Sequence, residues 1–252
     1  MEIVSGRTGK PHVTSQQFRQ IIEGIIGDDS CILPSGENLE PELVSNNSLK
    51  IRSGMMCHHG NVSSVKIGTY DEVELTNGSQ GMKRIDLIVN RYTRNEKDNT
   101  EKNEWVVIMG SPAESNPVVP EYTQGDLQKG DLVDDCPAFE VHLDGINIVE
   151  VTKKLEIAQT NKELAAKLPV YGTTPIIETR ANSYKDTSVK FGKTFSKAPV
   201  VVISLSGGSQ NTKSFGVQVL STTTSGCVIR TVNGNSSSVS IMVNWCAFPK
   251  GA

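Results

Sequence analysis

The feature that most constrains this chain is a period-two alternation near its C-terminal end, where Val239-x-Ile241-x-Val243-x-Trp245 places a large apolar side chain at every second position. That pattern buries one face of a strand and leaves the other to solvent. It recurs in Phe215-x-Val217-x-Val219 and in Cys227-x-Ile229, while Val189, Phe191 and Phe195 lead into the run Val200–Ser204. The segments 206–214, 222–226 and 233–238 between these runs are rich in small hydrogen-bonding residues. Short alternating strands joined by such loops predict an antiparallel β-sandwich over residues 173–252. Trp245 closes an alternating strand and is expected in its core. Arg230, near the polar end of its strand, is expected at the rim or in solvent.

The remainder of the 252 residues divides in two. Residues 1–149 carry short β-type runs: Ser48–Ser53, Val62–Gly68, Asp71–Thr76, Arg84–Arg94 and Glu104–Gly110. Ile85–Val89 is the most apolar run and reads as a central strand, with Arg84 and Asp86 as an ion pair at its end. Asn77-Gly78 reads as a hairpin turn, and the charged stretch 94–103 as a solvated hairpin tip. Pro112, Pro117 and Pro120 break the following segment into a loop. Thr14 or Ser15 is positioned to cap a helix whose Phe18, Ile21, Ile22, Ile25 and Ile26 recur at helical spacing before Gly27 stops it.

Residues 150–168 hold good helix formers with neither Gly nor Pro. Ile148, Val151, Leu155 and Ala158 follow a 3-4-3 spacing, and Ile157, Asn161, Leu164 and Leu168 follow 4-3-4. This predicts a short coiled-coil neck over 150–172 with Val151, Leu155, Ala158, Asn161, Leu164 and Leu168 along its seam, Asn161 fixing register. The alternative is a single amphipathic helix packed on its own domain. The fold class expected is therefore mainly β: an N-terminal β-sandwich-like domain with a short helix (1–149), the neck, and a C-terminal antiparallel β-sandwich (173–252).

Lys and Arg number 25 against 28 Asp and Glu, so no basic stripe exists to neutralise a phosphate backbone and nucleic acid is not expected as a partner. No apolar run approaches the ~18 residues of a membrane span, and the start lacks the apolar core of a signal peptide. The five cysteines are widely spaced without a CxxC pair, which reads as buried thiols; a Cys227–Cys246 bridge would need neighbouring strands.

Chemistry-bearing patterns are sparse. No G-x-S-x-G, H-E-x-x-H or phosphate-binding loop is present. The pairs Asp28-Asp29 and Asp134-Asp135 read as exposed turns rather than as a glycosidase pair. Cys57-His58-His59 is the one cluster with metal-ligand residue types, but neighbours along a strand point to opposite faces. Symmetry in a trimer could gather copies of one histidine on an axis; half-exposed histidines are the plainer reading. No catalytic residue, no metal and no cofactor is expected.

The C-terminal zone resembles the H-type lectin family and related distal domains of phage tail fibres. The carrying residues are Phe191-x3-Phe195-x3-Pro199-x-Val201, Ser225-Gly226-Cys227 and the final Trp245-x-Ala247. Aligned on Pro199 and Trp245, the family's sugar-contacting positions fall on Thr212, Ser214, Asn233 and Gly234. Asn235 is expected to bind sugar with them, as are Arg180 and Asn182 of the polar stretch Thr179–Asn182, which would lie beside them across a protomer boundary. The aromatic and the arginine that this family uses for N-acetylgalactosamine do not stand at these positions.

The N-terminal zone resembles attachment modules of structural proteins from tailed phages and prophages of Gram-positive bacteria. The residues that carry it are Leu49–Gly54, Gly68-Thr69-Tyr70-Asp71, Asn77–Val89 and Asp144-Gly145-Ile146. Together the plan is similar to the shoulder, neck and head of lactococcal siphophage receptor-binding proteins. That resemblance implies a homotrimer made in the bacterial cytoplasm and carried on the virion tail. Its first domain would dock on other baseplate proteins and its last would bind a host-surface saccharide. A purely architectural baseplate or fibre component is the alternative.

Overall fold

The computed structural model describes residues 4, 13–208 and 214–250. The chain forms two compact units, residues 1–158 and 159–252.

In the first unit, helix α1 (Ser15–Ile26) starts at a reciprocal cap: Thr14 Oγ1 accepts the Gln17 N–H (3.1 Å) and Gln17 Oε1 accepts the Thr14 N–H (3.0 Å). Its apolar stripe does not face a core. Phe18, Ile21 and Ile25 are exposed, and Arg19 is the side chain α1 buries, 3.3 Å from Glu101 and over the Tyr92 ring. The strands are β1 (Cys31–Leu33), β2 (Pro41–Ser45), β3 (Ser48–His58), β4 (Asn61–Glu74), β5 (Lys83–Arg94), β6 (Glu101–Ile108), β7 (Val133–Asp144) and β8 (Asn147–Lys153). One sheet centres on β3, with β4 along one edge and β1 and β2 sharing the other; the second runs β6-β5-β7-β8, all antiparallel. Leu49, Ile51, Met56 and Val73 from one sheet meet Ile88, Phe139, Val141 and Leu143 from the other, so the unit is a sandwich.

Ile85–Val89 is central and buried, as expected, and Arg84 and Asp86 form a buried two-pronged pair at 2.8 Å. The charged stretch does close a hairpin, although β6 already begins at Glu101. Asn77-Gly78 makes no hairpin: β4 and β5 lie in different sheets, and the chain turns at Ser79–Met82 instead. Gly78 is needed there for another reason, since a Cβ would stand 2.0 Å from the Gly145 carbonyl oxygen. Asp134 and Asp135 are not in an exposed turn either. They open β7 and are buried, with Asp135 gripping Arg91 through two bonds of 2.6 and 2.8 Å.

The helix expected to run unbroken from residue 150 is a strand at its start. β8 pairs with β7, and a register shift sets Val141 opposite Val151 but Leu143 opposite Ile148. That bulge puts Ile148 and Val151, three residues apart, on one face, which imitates helical spacing in the sequence. Leu155 packs on the same core, and the Ala158 N–H donates to the Ile32 carbonyl. The neck residues Val151, Leu155 and Ala158 thus belong to the first sandwich. Only α2 (Asn161–Lys167) is helical, carrying Asn161 and Leu164 with Leu168 just after it. The boundary accordingly falls at 158/159.

The second unit contains β9 (Val170–Thr173), β10 (Ile177–Thr179), β11 (Ser183–Lys190), β12 (Val200–Gly208), β13 (Phe215–Thr222), β14 (Gly226–Asn233) and β15 (Val239–Phe248). β15 is flanked by β12 on one edge and by β9 and β10 on the other; β11-β14-β13 form the facing sheet. Ile177, Val189, Phe191, Phe195, Ile229 and Val243 fill the space between, and Trp245 packs half-buried against Phe191 at 5.5 Å. This is the antiparallel sandwich the alternation predicts. Cys227 and Cys246 lie in different sheets, and all five cysteines are free thiols.

Candidate glycan-binding surface and the histidine–carboxylate cluster

At one end of the second sandwich, the β10–β11 turn (180–182), the β14–β15 connection (234–238) and Ser214 come together. Asn233 is the knot. It is buried, its Nδ2 donates to the carbonyls of Thr179 (2.9 Å), Arg180 (3.1 Å) and Ser237 (2.9 Å), and its Oδ1 accepts from both nitrogens of Asn235 (2.9 Å each). The Asn182 N–H reaches the Asn235 carbonyl and the Gly234 N–H that of Ser214, while Thr179 and Thr231 share a buried hydroxyl contact at 2.7 Å below.

Most of the residues expected to touch sugar are therefore neighbours. Their roles divide by burial. Arg180, Asn182, Ser214 and Gly234 are exposed; Asn233 and Asn235 are buried and tie the loops. Thr212 lies outside the described residues. Asn233 has every donor and acceptor engaged, so it shapes the surface and has nothing left to offer a ligand.

Beside this end stands an aromatic group that the sequence reading passes over. Tyr184 is 60% exposed, and the strand register sets it level with Val232 and, beyond that, Gly216. Among the described residues nothing lies within 4 Å of where a Gly216 Cβ would be, so they leave this part of the sheet open. Arg230 is mid-strand in β14, not at its end. It lies 4.2 Å over the Tyr184 ring and holds both Asp186 oxygens at 2.7 Å. Those hydrogen bonds hold the Asp186 carboxyl below its ordinary range and raise the Arg230 guanidinium further. The signal was Tyr184-x-Asp186 facing Arg230-x-Val232, but only the register pairs them.

In the first unit the histidines depart from the expectation of opposite faces. His59 has left the strand: its φ is +46°, in the left-handed region, and it occupies the β3–β4 turn ahead of Gly60. Its ring consequently folds back and stacks on His58, centroids 3.9 Å apart. Both rings reach one oxygen of Asp134. His58 Nε2 is 3.1 Å and His59 Nδ1 2.8 Å from Asp134 Oδ2. The other carboxylate oxygen, Oδ1, accepts the Gly125 N–H (2.9 Å), and Ser30 Oγ holds His58 Nδ1 at 2.5 Å. Burial pushes the Asp134 carboxyl up, but His58, the Gly125 N–H and His59 outweigh it and hold it below the usual carboxylate range. Burial drives the nearby thiols the other way, Cys57 to about 11 and Cys136 to about 12.

The C-terminal strands, their two sheets and the polar loops at one end are the setting for the comparison with known families. Residues 186–248 match the H-type lectin domain. Tyr184 and the 180–182 turn lie just ahead of the matched segment, while Asp186, Ser214, Arg230 and the Asn233 knot lie within it. Among solved structures the chain is similar to recombinant discoidin II of Dictyostelium discoideum, at 11% identity and a TM-score of 0.29 over 79% of this chain and 82% of that one, a likeness too slight to bear on function. No curated protein matches the chain in sequence.

Proposed function

We propose that this chain is a phage or prophage tail or baseplate protein whose lectin domain binds a host cell-surface saccharide. The observation that carries the saccharide reading is the match of residues 186–248 to the H-type lectin domain, supported by the exposed polar groups at the loop end. Saccharide sites need an aromatic face and several fixed polar groups on a shallow surface. Tyr184 supplies the face; Arg180, Asn182 and Ser214 supply donors and acceptors, their backbones held by the Asn233 knot. Binding, rather than catalysis, is the role this arrangement suits.

The tail assignment rests on the resemblance of residues 1–149 to phage attachment modules. Its homotrimer is supported by surface that a monomer gains nothing by exposing. The outer face of β9-β15-β12 carries Tyr171, Val200, Val202 and Phe248, all exposed. On the first unit, the stripe of α1 formed by Phe18, Ile21 and Ile25, exposed among the described residues, is surface suited to docking on another baseplate protein.

One observation favours the architectural alternative: Asn233 and Asn235, two of the expected sugar contacts, spend their hydrogen bonds on the loops. An array of bacterial cell-wall saccharides probed with the full chain separates the two readings. Saturable binding to a subset of glycans supports the lectin reading, and no binding to any host-wall polysaccharide supports architecture.

A further inference from the structure

From the geometry of the first unit we infer that His58, His59 and Asp134 form a site for a divalent transition-metal ion, zinc being the ion whose preferences they fit best. Among the described residues this is the one group of three such side chains whose ligand atoms all lie within 4.8 Å of one another. Zinc bonds of about 2.0–2.1 Å in a tetrahedron place neighbouring ligand atoms about 3.3 Å apart. The 2.8 and 3.1 Å separations from Asp134 Oδ2 need to open by only a few tenths of an ångström to meet it.

A second observation points to a ligand. His58 is 8% exposed, and its Nε2 makes no well-aligned hydrogen bond: its one polar approach is the 3.1 Å contact with Asp134 Oδ2. A buried ring nitrogen left unsatisfied is costly and uncommon in a folded protein. Here that nitrogen points at a carboxylate oxygen already shared with a second imidazole.

The outer atoms of two of the three groups are already committed. Ser30 holds the far nitrogen of His58, and Gly125 the far oxygen of Asp134. Such contacts fix the orientation of metal ligands and set which atom faces the ion. The third ligand is placed by backbone. His59 takes the left-handed conformation, and Gly60, at φ +72°, brings the turn so close to α1 that a Cβ would stand 2.5 Å from the Arg19 carbonyl oxygen. His59 remains 39% exposed at its side chain, which leaves a path for the ion and room for a water as fourth ligand.

The donor set selects the ion class. Two imidazoles and one carboxylate suit zinc and its transition-metal neighbours, not calcium or magnesium. The ion would tie the β3–β4 turn to the start of β7 and, through Ser30, to the α1–β1 connection, so its role is to brace this end of the sandwich.

The test uses the full chain, stripped with a chelator and dialysed against zinc chloride. The expected result is one zinc per chain and a higher melting temperature with zinc. His59→Ala, which removes a half-exposed ring, should bind at least about tenfold more weakly and lose the thermal shift. Ser30→Ala should weaken binding by about tenfold, as loss of an orienting contact does. His142→Ala, whose histidine contacts Glu140 elsewhere, should bind like the parent. Cobalt in place of zinc should give weak visible bands without an intense thiolate-to-metal band. Three results would each overturn the assignment: sub-stoichiometric zinc in the parent chain, undiminished affinity in His59→Ala, or a strong thiolate band placing the metal on cysteine.

Discussion

Asn233 shows how a residue chosen for one role can hold another. Its Nδ2 shares two N–H donors among three backbone carbonyls and its Oδ1 accepts from both nitrogens of Asn235, all from a buried position. Asn233→Ala should therefore destabilise the second sandwich by about 3 kcal/mol, because buried polar groups left without partners cost about 1–3 kcal/mol each. Urea denaturation followed by the domain's one tryptophan, Trp245, measures this; an unchanged midpoint would mean that water replaces the amide. Tyr184→Ala should leave stability nearly unchanged, since the ring is largely exposed, but weaken glycan binding about tenfold, ~1.4 kcal/mol. In the first unit, Asp86→Ala strands the buried Arg84 guanidinium and the Gly110 N–H, and should cost about 3–5 kcal/mol. The Arg84–Asp86 pair was legible in the sequence because both residues sit on one strand, two positions apart, and so on one face. Tyr184 and Arg230 were not, because their partnership depends on how two distant strands slide past each other.

At the scale of elements, what was legible depended on whether neighbouring strands agreed with the local pattern. β5, β14 and β15 read true because their alternation or continuous apolarity matches the faces they bury. β8 did not, because its bulge converts a period of two into a step of three, and its good helix formers yield to pairing with β7. The two histidines were misplaced for a related reason: a strand was assumed to continue through His59, where a left-handed turn reverses the face. α1 was found, but its apolar spacing does not mark its buried side, since the side chain it buries is Arg19 while Ile21 and Ile25 are exposed. That contact carries a pH dependence. Burial raises the Glu101 carboxyl, but bonds from Arg19, Tyr92 and Ser15 outweigh it and hold it below its ordinary value. A depressed carboxylate contributes stability above its unfolded value, about 4.3, and loses it as pH falls through the folded one. Docking of α1 should thus loosen below about pH 4. Amide exchange in α1, corrected for its intrinsic pH dependence, measures it. Glu101→Gln should abolish the acid-dependent part; the same dependence in that variant would place its origin elsewhere.

For the whole molecule, two β-sandwiches are joined near residue 158; on the function proposed above, the first serves attachment and the second recognition. The exposed apolar face of β9-β15-β12 is expected to pack between copies, and light scattering of the purified chain should give the mass of three chains. Val202→Asp, which puts a charge on that face, should shift the mass towards one chain; a parent chain that is already monomeric removes the trimer. Recognition is the central claim. It is tested most directly by titrating host cell-wall polysaccharide onto the full chain, beside Tyr184→Ala and Arg180→Ala. The account expects saturable binding by the parent chain and about tenfold weaker binding by each variant at unchanged stability. Absence of saturable binding, or equal binding by all three proteins, would contradict it.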